Sequence, residues 1–529
     1  MFLDLSFEKI LRILAVAFGL TIAVLFSFMM EQKIAAVKDM MTAWAAREKA
    51  DLSYWFRFKL PDQGRLIIFG ESEAPAALAA TGTAASVPVL VYHGEGEGAR
   101  SMPMTIFVDH MRALQSNGWR SITLPEFESF MKGTGTVPDK SFLLTFDDGR
   151  TDTFYASDPV LKDLGYTGVM FVITGFSLPE NGAMPTDAFY LSKSELAHMA
   201  ASGRWELESH GDQDHRAYVV PTVLPDGSLD LVSKAHFLSN KFWIPNLARM
   251  ETASEFTARV TNDLTTAKQI LESDFGSPIS AFAYPFNDFG QDSLNFPQAQ
   301  AVLDALIPTL YRYTFYQTWP GNGDTFNYPN PQVHFIKRIE PPVSWNGDDL
   351  IQALDRGRKK ELPFETTSFG SGWSTNWGIL GTSGGLSLSA ASTTGASAFL
   401  DGTESWADYT LKASADLRHG TLSLITRHTE TSAPYPDCAF SENRIYLERH
   451  ASTSVVTLAS APYDPPAQPA RVSVSMSIRG NSAACSAYGT RVSATIPGIS
   501  PRGGIGVTVW SPNEGDANAT FTRLSADPL

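Results

Sequence analysis

Cysteine is nearly missing from this chain: two in 529 residues, too few for a disulfide-rich scaffold or a cysteine-built zinc cluster. Positive charge is also short. Forty-one lysines and arginines face 56 aspartates and glutamates, a net charge of −15. That balance argues against nucleic acid or anionic lipid headgroups as partners. No repeat of fixed period is present, which excludes solenoids and propellers. Charged residues make up 18% of the chain and hydrophobic ones 43%, an ordinary globular composition that rules out a largely disordered protein. At this length a single core no longer suffices, so two folded domains are expected. A metal site built from histidine and carboxylate remains open.

One long apolar run stands near the start. Residues 13–30 are uncharged and follow Lys9 and Arg12; as a helix they span about 27 Å, close to the hydrocarbon thickness of a bilayer. A cleaved signal peptide needs a small-x-small site soon after the run, and residues 26–33 contain none. The expectation is therefore an uncleaved anchor within residues 1–30, a single pass through the cytoplasmic membrane. Lysine and arginine are too evenly placed around it to fix orientation. Residues 31–86 read as a juxtamembrane segment and linker, the end of it rich in Ala, Thr, Ser and Gly.

From 87 to 362 short apolar runs alternate with helical segments. Strand candidates are 87–93, 141–146, 168–174, 205–209 and 279–284. Thr105 is a candidate helix cap, and Thr252-Ala253-Ser254-Glu255 fits a capping box closed at Gly276. The pattern predicts an α/β fold, a distorted (β/α) barrel. Residues 363–529 differ: Lys412 is the only lysine, and alternating runs recur between Gly, Pro and Asn. They predict an antiparallel β-sandwich with a carbohydrate-binding or docking role. Trp373, Trp377, Trp406 and Trp510 are platform candidates there, although tryptophans at such spacing also fill sandwich cores. Cys438 and Cys485 both lie in this half, and whether they pair is open.

Four segments of the 87–362 region carry chemistry. Thr145-Phe146-Asp147-Asp148-Gly149 closes an apolar strand with adjacent aspartates, whose repulsion a bound cation relieves while the two take different tasks. His210 and His215 follow the 205–209 strand. They stand about 140° apart on a helix, so they can meet at one ion only from a loop. Two imidazoles and a carboxylate leave coordination positions open for water and substrate. Tyr284-Pro285-Phe286 ends a third strand as a candidate groove wall, with the Phe286 N–H a donor to an oxyanion. Leu90-Val91-Tyr92-His93 ends the first strand in a titratable side chain.

Taken in order, these segments resemble NodB-type polysaccharide deacetylases, carbohydrate esterase family four, over roughly residues 87–345. The five-residue histidine spacing and the Leu-x-Tyr-His strand resemble the branch that de-N-acetylates poly-N-acetylglucosamine. The resemblance implies that Asp148, His210 and His215 bind one divalent metal ion, with zinc ahead of cobalt or nickel. It implies Asp147 as general base and His93 as general acid, hydrolysing the N-acetyl group by a metal-activated water. The partners it implies are an acetylated polysaccharide outside the cytoplasmic membrane and the machinery that makes or exports that polymer. An O-acetyl esterase and a catalytically silent glycan-binding protein are the alternatives.

The chain departs from the family pattern in three places. Gly211 stands where Ser or Thr usually follows the first histidine, and Ala283 where an arginine braces the catalytic aspartate. No Leu-x-x-His closes the domain, which leaves His93 as the acid with His334 a weaker candidate. Arg338 is the candidate replacement brace. Between Ala217 and Arg249, Phe237, Phe242, Trp243 and Pro245 are candidates either to flank a sugar groove or to form a structural cap over the barrel.

Overall fold

The computed structural model describes residues 82–529, except 95–101, 180–188, 220–221, 224–228, 231–233, 319–324, 371, 376, 391, 430–433, 452–453 and 465–469. The expected anchor over residues 1–30, and nearly all of the 31–86 segment, lie outside the described residues. Among the described residues no helix is long and apolar enough to cross a membrane.

Seven short strands, most of their residues buried, form a parallel closed sheet: β1 (Val87–Tyr92), β2 (Ser141–Phe146), β3 (Gly168–Val172), β4 (Trp205–Ser209), β5 (Ala281–Ala283), β6 (Tyr313–Thr318) and β7 (Phe335–Ile339). Their spatial order is β1-β7-β6-β5-β4-β3-β2, and β2 pairs in parallel with β1, Val89 opposite Leu143, to close the barrel. Period-two alternation divides each strand between two cores. Val89, Leu143, Phe171, Phe315 and Ile336 fill the interior. Leu90, Leu144, Met170 and Phe282 face outward onto helices, meeting Phe107, Met111 and Leu264.

The helix Ala253–Phe275 begins where the sequence places it. Thr252 and Glu255 form the reciprocal capping box, and Gly276 ends the helix at φ 71°. The helix Met104–Ser116 differs from expectation, for Thr105 does not cap it. Pro103 stands at the N-cap and makes no side-chain cap bond. Its carbonyl accepts from the Ile106 and Phe107 amides, and proline's fixed φ sets the entry.

The C-terminal half is two antiparallel sheets of eight and seven strands around their own core. The seven-stranded sheet includes β8 (Thr421–His428), β9 (Tyr435–Phe440), β10 (Arg444–Ala451) and β11 (Ser454–Pro462); β12 (Ser482–Ala487) lies in the other. Cys438 on β9 and Cys485 on β12 form a disulfide with Cα atoms 5.7 Å apart, so the pairing left open by the sequence joins the two sheets. Trp406 is core, 3% exposed, with its indole N–H donating to the Lys360 carbonyl. Trp510 is exposed.

Candidate active site

All seven barrel strands run the same way, so their C-terminal ends share one rim, where strand-end side chains converge. Asp147 and Asp148 leave β2 there. A regular strand would send them to opposite faces. Instead Asp148 adopts φ 76° and Gly149 φ 68°, and the left-handed pair turns both carboxylates into the rim. Gly149 tolerates this without cost; Asp148 is strained by it, as residues at functional sites often are.

Asp148 Oδ1 lies 3.2 Å from His215 Nε2 and 3.5 Å from His210 Nε2. The three ligand atoms fall within 4.8 Å of one another. His210 Nδ1 is 2.8 Å from the Ala283 carbonyl, which fixes the ring and turns Nε2 toward Asp148, as an outer-shell carbonyl does for a metal-ligating histidine. Asp148 Oδ1 is buried without a hydrogen-bond partner. A nitrogen-and-oxygen donor set with an orphaned carboxylate oxygen at its centre fits a divalent ion. Gly211 has a local reason as well. At φ 78°, a Cβ there would sit 1.9 Å from the Asp214 carboxylate, so Ser or Thr does not fit this loop.

Asp147 is 1% exposed and is held on both oxygens by Arg338, Nη1 to Oδ1 at 2.6 Å and Nη2 to Oδ2 at 2.7 Å. Arg338 comes from β7, on the same strand face as interior Ile336, with its guanidinium over the Phe171 ring. Burial by itself would raise the Asp147 pKa. Arg338, His210 and His93 outweigh it and hold the carboxyl far below the ordinary range.

His93, after β1, places Nε2 3.4 Å from Asp147 Oδ2 and Nδ1 3.2 Å from Glu340 Oε1. Burial opposes the imidazolium, but the carboxylates of Asp147 and Glu340 carry its pKa up to about 10. Gln317 also reaches His93, at 3.4 Å. Sequence reasoning missed Glu340 and Gln317. The signal for Glu340 was alternation, since residues 336, 338 and 340 share a face and Arg338 had already been singled out.

The third segment divides. Pro285 is buried, and the Tyr284 ring is 3% exposed among Phe282, Phe289 and Phe335. Tyr284 therefore supports the turn from below instead of lining a groove. Phe286 is 43% exposed at φ 58°, with its ring between His215 and His236, 4.4 Å from each centroid. The amides of Asn287 and Asp288 donate to the carbonyls of Tyr284 and Pro285, while no described residue accepts from the Phe286 amide. His236 was not foreseen; Asp288 Oδ2 holds its Nδ1 at 2.9 Å.

The weaker acid candidate is corrected, and of the two readings of the insertion the structure shows the cap. His334 precedes β7, at the opposite end of the barrel, with Nδ1 3.0 Å from the Arg312 carbonyl; it is not near Asp147. Phe237 and Phe242 pack on the Arg259 guanidinium, 4.2 and 3.8 Å from its carbon. They close a cap over the long helix and offer no open sugar platform.

Comparison with known proteins agrees with this geometry. Residues 134–301 match the family model described as Polysaccharide deacetylase. YxkH of Bacillus subtilis, itself only provisionally named a polysaccharide deacetylase, is 28% identical over 153 residues, 29% of this chain and 52% of that protein. Poly-beta-1,6-N-acetyl-D-glucosamine N-deacetylase of Staphylococcus aureus is 27% identical over 194 residues, 37% of this chain and 56% of the relative. The chain thus spans about half the length of the curated relatives it matches. Among solved structures, a de-N-acetylase from Aggregatibacter actinomycetemcomitans aligns at 17% identity and TM-score 0.41, covering 51% of this chain and 99% of the other. The BpsB deacetylase domain from Bordetella bronchiseptica aligns at 21% and 0.38, covering 48% and 97%. The matched residues hold the Asp-Asp-Gly turn, both rim histidines and the Tyr-Pro-Phe turn, and over residues 134–301 the chain carries a polysaccharide deacetylase domain.

Proposed function

We propose that the protein removes N-acetyl groups from an N-acetylglucosamine-type polysaccharide, working outside the cytoplasmic membrane from an N-terminal anchor. One observation carries the catalytic part: Asp148, His210 and His215 bring three ligand atoms together beside an Asp147 clamped by Arg338 and touched by His93. The Staphylococcus aureus relative, named for poly-beta-1,6-N-acetyl-D-glucosamine, supports the substrate class. The Cys438–Cys485 disulfide supports the location, because such bonds persist in oxidising compartments.

Asp148, His210 and His215 would hold the divalent ion, zinc before cobalt or nickel. When bound, it supplies Lewis-acid polarisation to the acetyl carbonyl and to the attacking water. The chain's own groups do the rest. Asp147 keeps free lone pairs beside its two bonds to Arg338, and with these it takes a proton from the attacking water. The Phe286 amide donates to the developing oxyanion. His93, charged at neutral pH, gives its proton to the departing amine, so that acetate and a free amino sugar result.

The test is acetate release from an N-acetylglucosamine oligomer by the full chain, in parallel with an O-acetylated polymer. Turnover on the oligomer should stop with a chelator and return with Zn²⁺. Asp148→Asn should lose bound metal. Asp147→Asn should keep it while kcat falls about 10²- to 10⁴-fold. Full acetate release by both variants would sink the assignment of roles, and turnover confined to the O-acetylated polymer would make the protein an esterase.

A further inference from the structure

A second gathering of ligand groups lies in the sandwich, remote in sequence from the barrel rim. On β9, Cys438 faces inward to its disulfide, so alternation turns Asp437 to the outer face of the sheet. Asp437 is nevertheless only 4% exposed. It stands directly opposite Glu448 of β10, and His450 follows Glu448 by two residues on the same face. Two carboxylates paired across neighbouring strands repel each other. The Ser423 side chain and His450 offset part of that cost, and a bound cation would offset more of it.

His450 stands between the two carboxylates, at the long end of ion-pair range from each. His450 Nε2 is 3.6 Å from Asp437 Oδ2 and 3.7 Å from Glu448 Oε2. Ion pairs elsewhere in the sandwich are much closer, 2.7 Å for Lys412–Asp527 and 2.8 Å for Arg427–Asp408. His450 Nε2 and Asp437 Oδ1 are both buried without a hydrogen-bond partner. Ligands about 2.1 Å from a tetrahedral ion stand about 3.4 Å from each other, close to the spacing seen here and at the barrel rim. The far side of the group is braced. Thr457 on β11 donates to Glu448 Oε1 at 3.0 Å, and Tyr435 stacks on the His450 ring at 5.2 Å and 14°. These contacts leave Glu448 Oε2 and His450 Nε2 directed at Asp437.

We propose that Asp437, Glu448 and His450 form a second divalent-cation site, which joins β9 to β10 on the outer face of the sandwich. One imidazole and two carboxylates suit zinc or a neighbouring first-row ion. The side chains of Glu448 and His450 are 20% and 25% exposed, so the remaining coordination positions open to solvent.

The test is equilibrium dialysis of the metal-free full chain against Zn²⁺, with circular dichroism to establish that each variant is folded. Glu448→Gln and Asp437→Asn should each lose one bound zinc relative to the wild type. Asp148→Asn should lose a different one, and Asp148→Asn combined with Glu448→Gln should lose both. Thr457→Val, which removes only the brace, should weaken zinc binding at this site about tenfold. If Asp437→Asn does not fold, Glu448→Gln, at the more exposed of the two carboxylates, decides alone. Folded Glu448→Gln that binds as many ions as tightly as the wild type overturns the proposal. An unchanged Asp148→Asn counts instead against the barrel assignment and leaves this result standing.

Discussion

Arg338 shows how one residue sets the chemistry of another. Its guanidinium holds both oxygens of a carboxylate that burial alone would push toward protonation. A carboxyl whose folded pKa is depressed contributes stability above its unfolded pKa and loses it as pH falls through the folded value. Removing the cause of the depression moves that loss to higher pH. Arg338→Met should therefore shift the acid limb of kcat/KM upward and destabilise the fold by about 3–5 kcal/mol, the cost of leaving a buried charge unpaired. A pH–rate profile with an unmoved acid limb would refute this. His93 has the opposite sign. Its folded pKa is raised to about 10, so its contribution is complete below the ordinary value of about 6.5 and disappears as pH rises through 10. In the metal-free chain, NMR of the His93 ring should show no titration near pH 6.5, and Glu340→Gln should lower its pKa. A His93 that titrates normally in the wild type contradicts the role given to Glu340. Such single partners were hard to see in the sequence, because a lone glutamate or glutamine at a strand end belongs to no motif.

At the scale of elements, the sequence was legible where a local rule fixes the outcome. The Asp-Asp-Gly turn leaves β2 and the His…His loop leaves β4, with β3 between them, and the parallel run of all three strands puts both segments on one rim. The Thr252 capping box reads directly because both of its bonds are made within four residues. What could not be read depends on contacts distant in sequence. Whether Phe237 and Phe242 meet sugar or protein is decided by Arg259, on the helix that follows the insertion. Phe286 lies against His236, supplied by that same insertion 50 residues earlier. The loop carrying the histidines gives a prediction at this scale. Its turn at Gly211 needs both φ 78° and an empty Cβ position. Gly211→Ala should displace the Asp214 carboxylate and shift His210 against His215, lowering zinc affinity at the rim about 10- to 100-fold. Dialysis with unchanged affinity would show that the loop absorbs the methyl group.

Over the whole molecule the two halves gain their stability differently. The barrel is closed by its own hydrogen bonds from β1 to β2 and filled by two concentric apolar cores. The sandwich has open sheets, and its interior contains many small residues: Ala396, Ala398, Ala413, Ala415, Ala483, Ala487, Ala519 and Ala526. Small side chains bury little apolar area each, about 25 cal/mol per Å², so a covalent tie between the sheets matters more there. Cys438 and Cys485 close a loop of 47 residues, and such a crosslink typically stabilises by about 2–4 kcal/mol, chiefly by restricting the unfolded chain. The double variant Cys438→Ala, Cys485→Ala should therefore lower the denaturant midpoint of the sandwich, followed through tryptophan fluorescence. Acetate release measured well below that midpoint should stay at the wild-type rate, because both cysteines are buried in the sandwich's own core. A midpoint equal to that of the wild type would mean that packing alone holds the sheets together. A fall in turnover under folded conditions would mean instead that the sandwich takes part in holding the substrate.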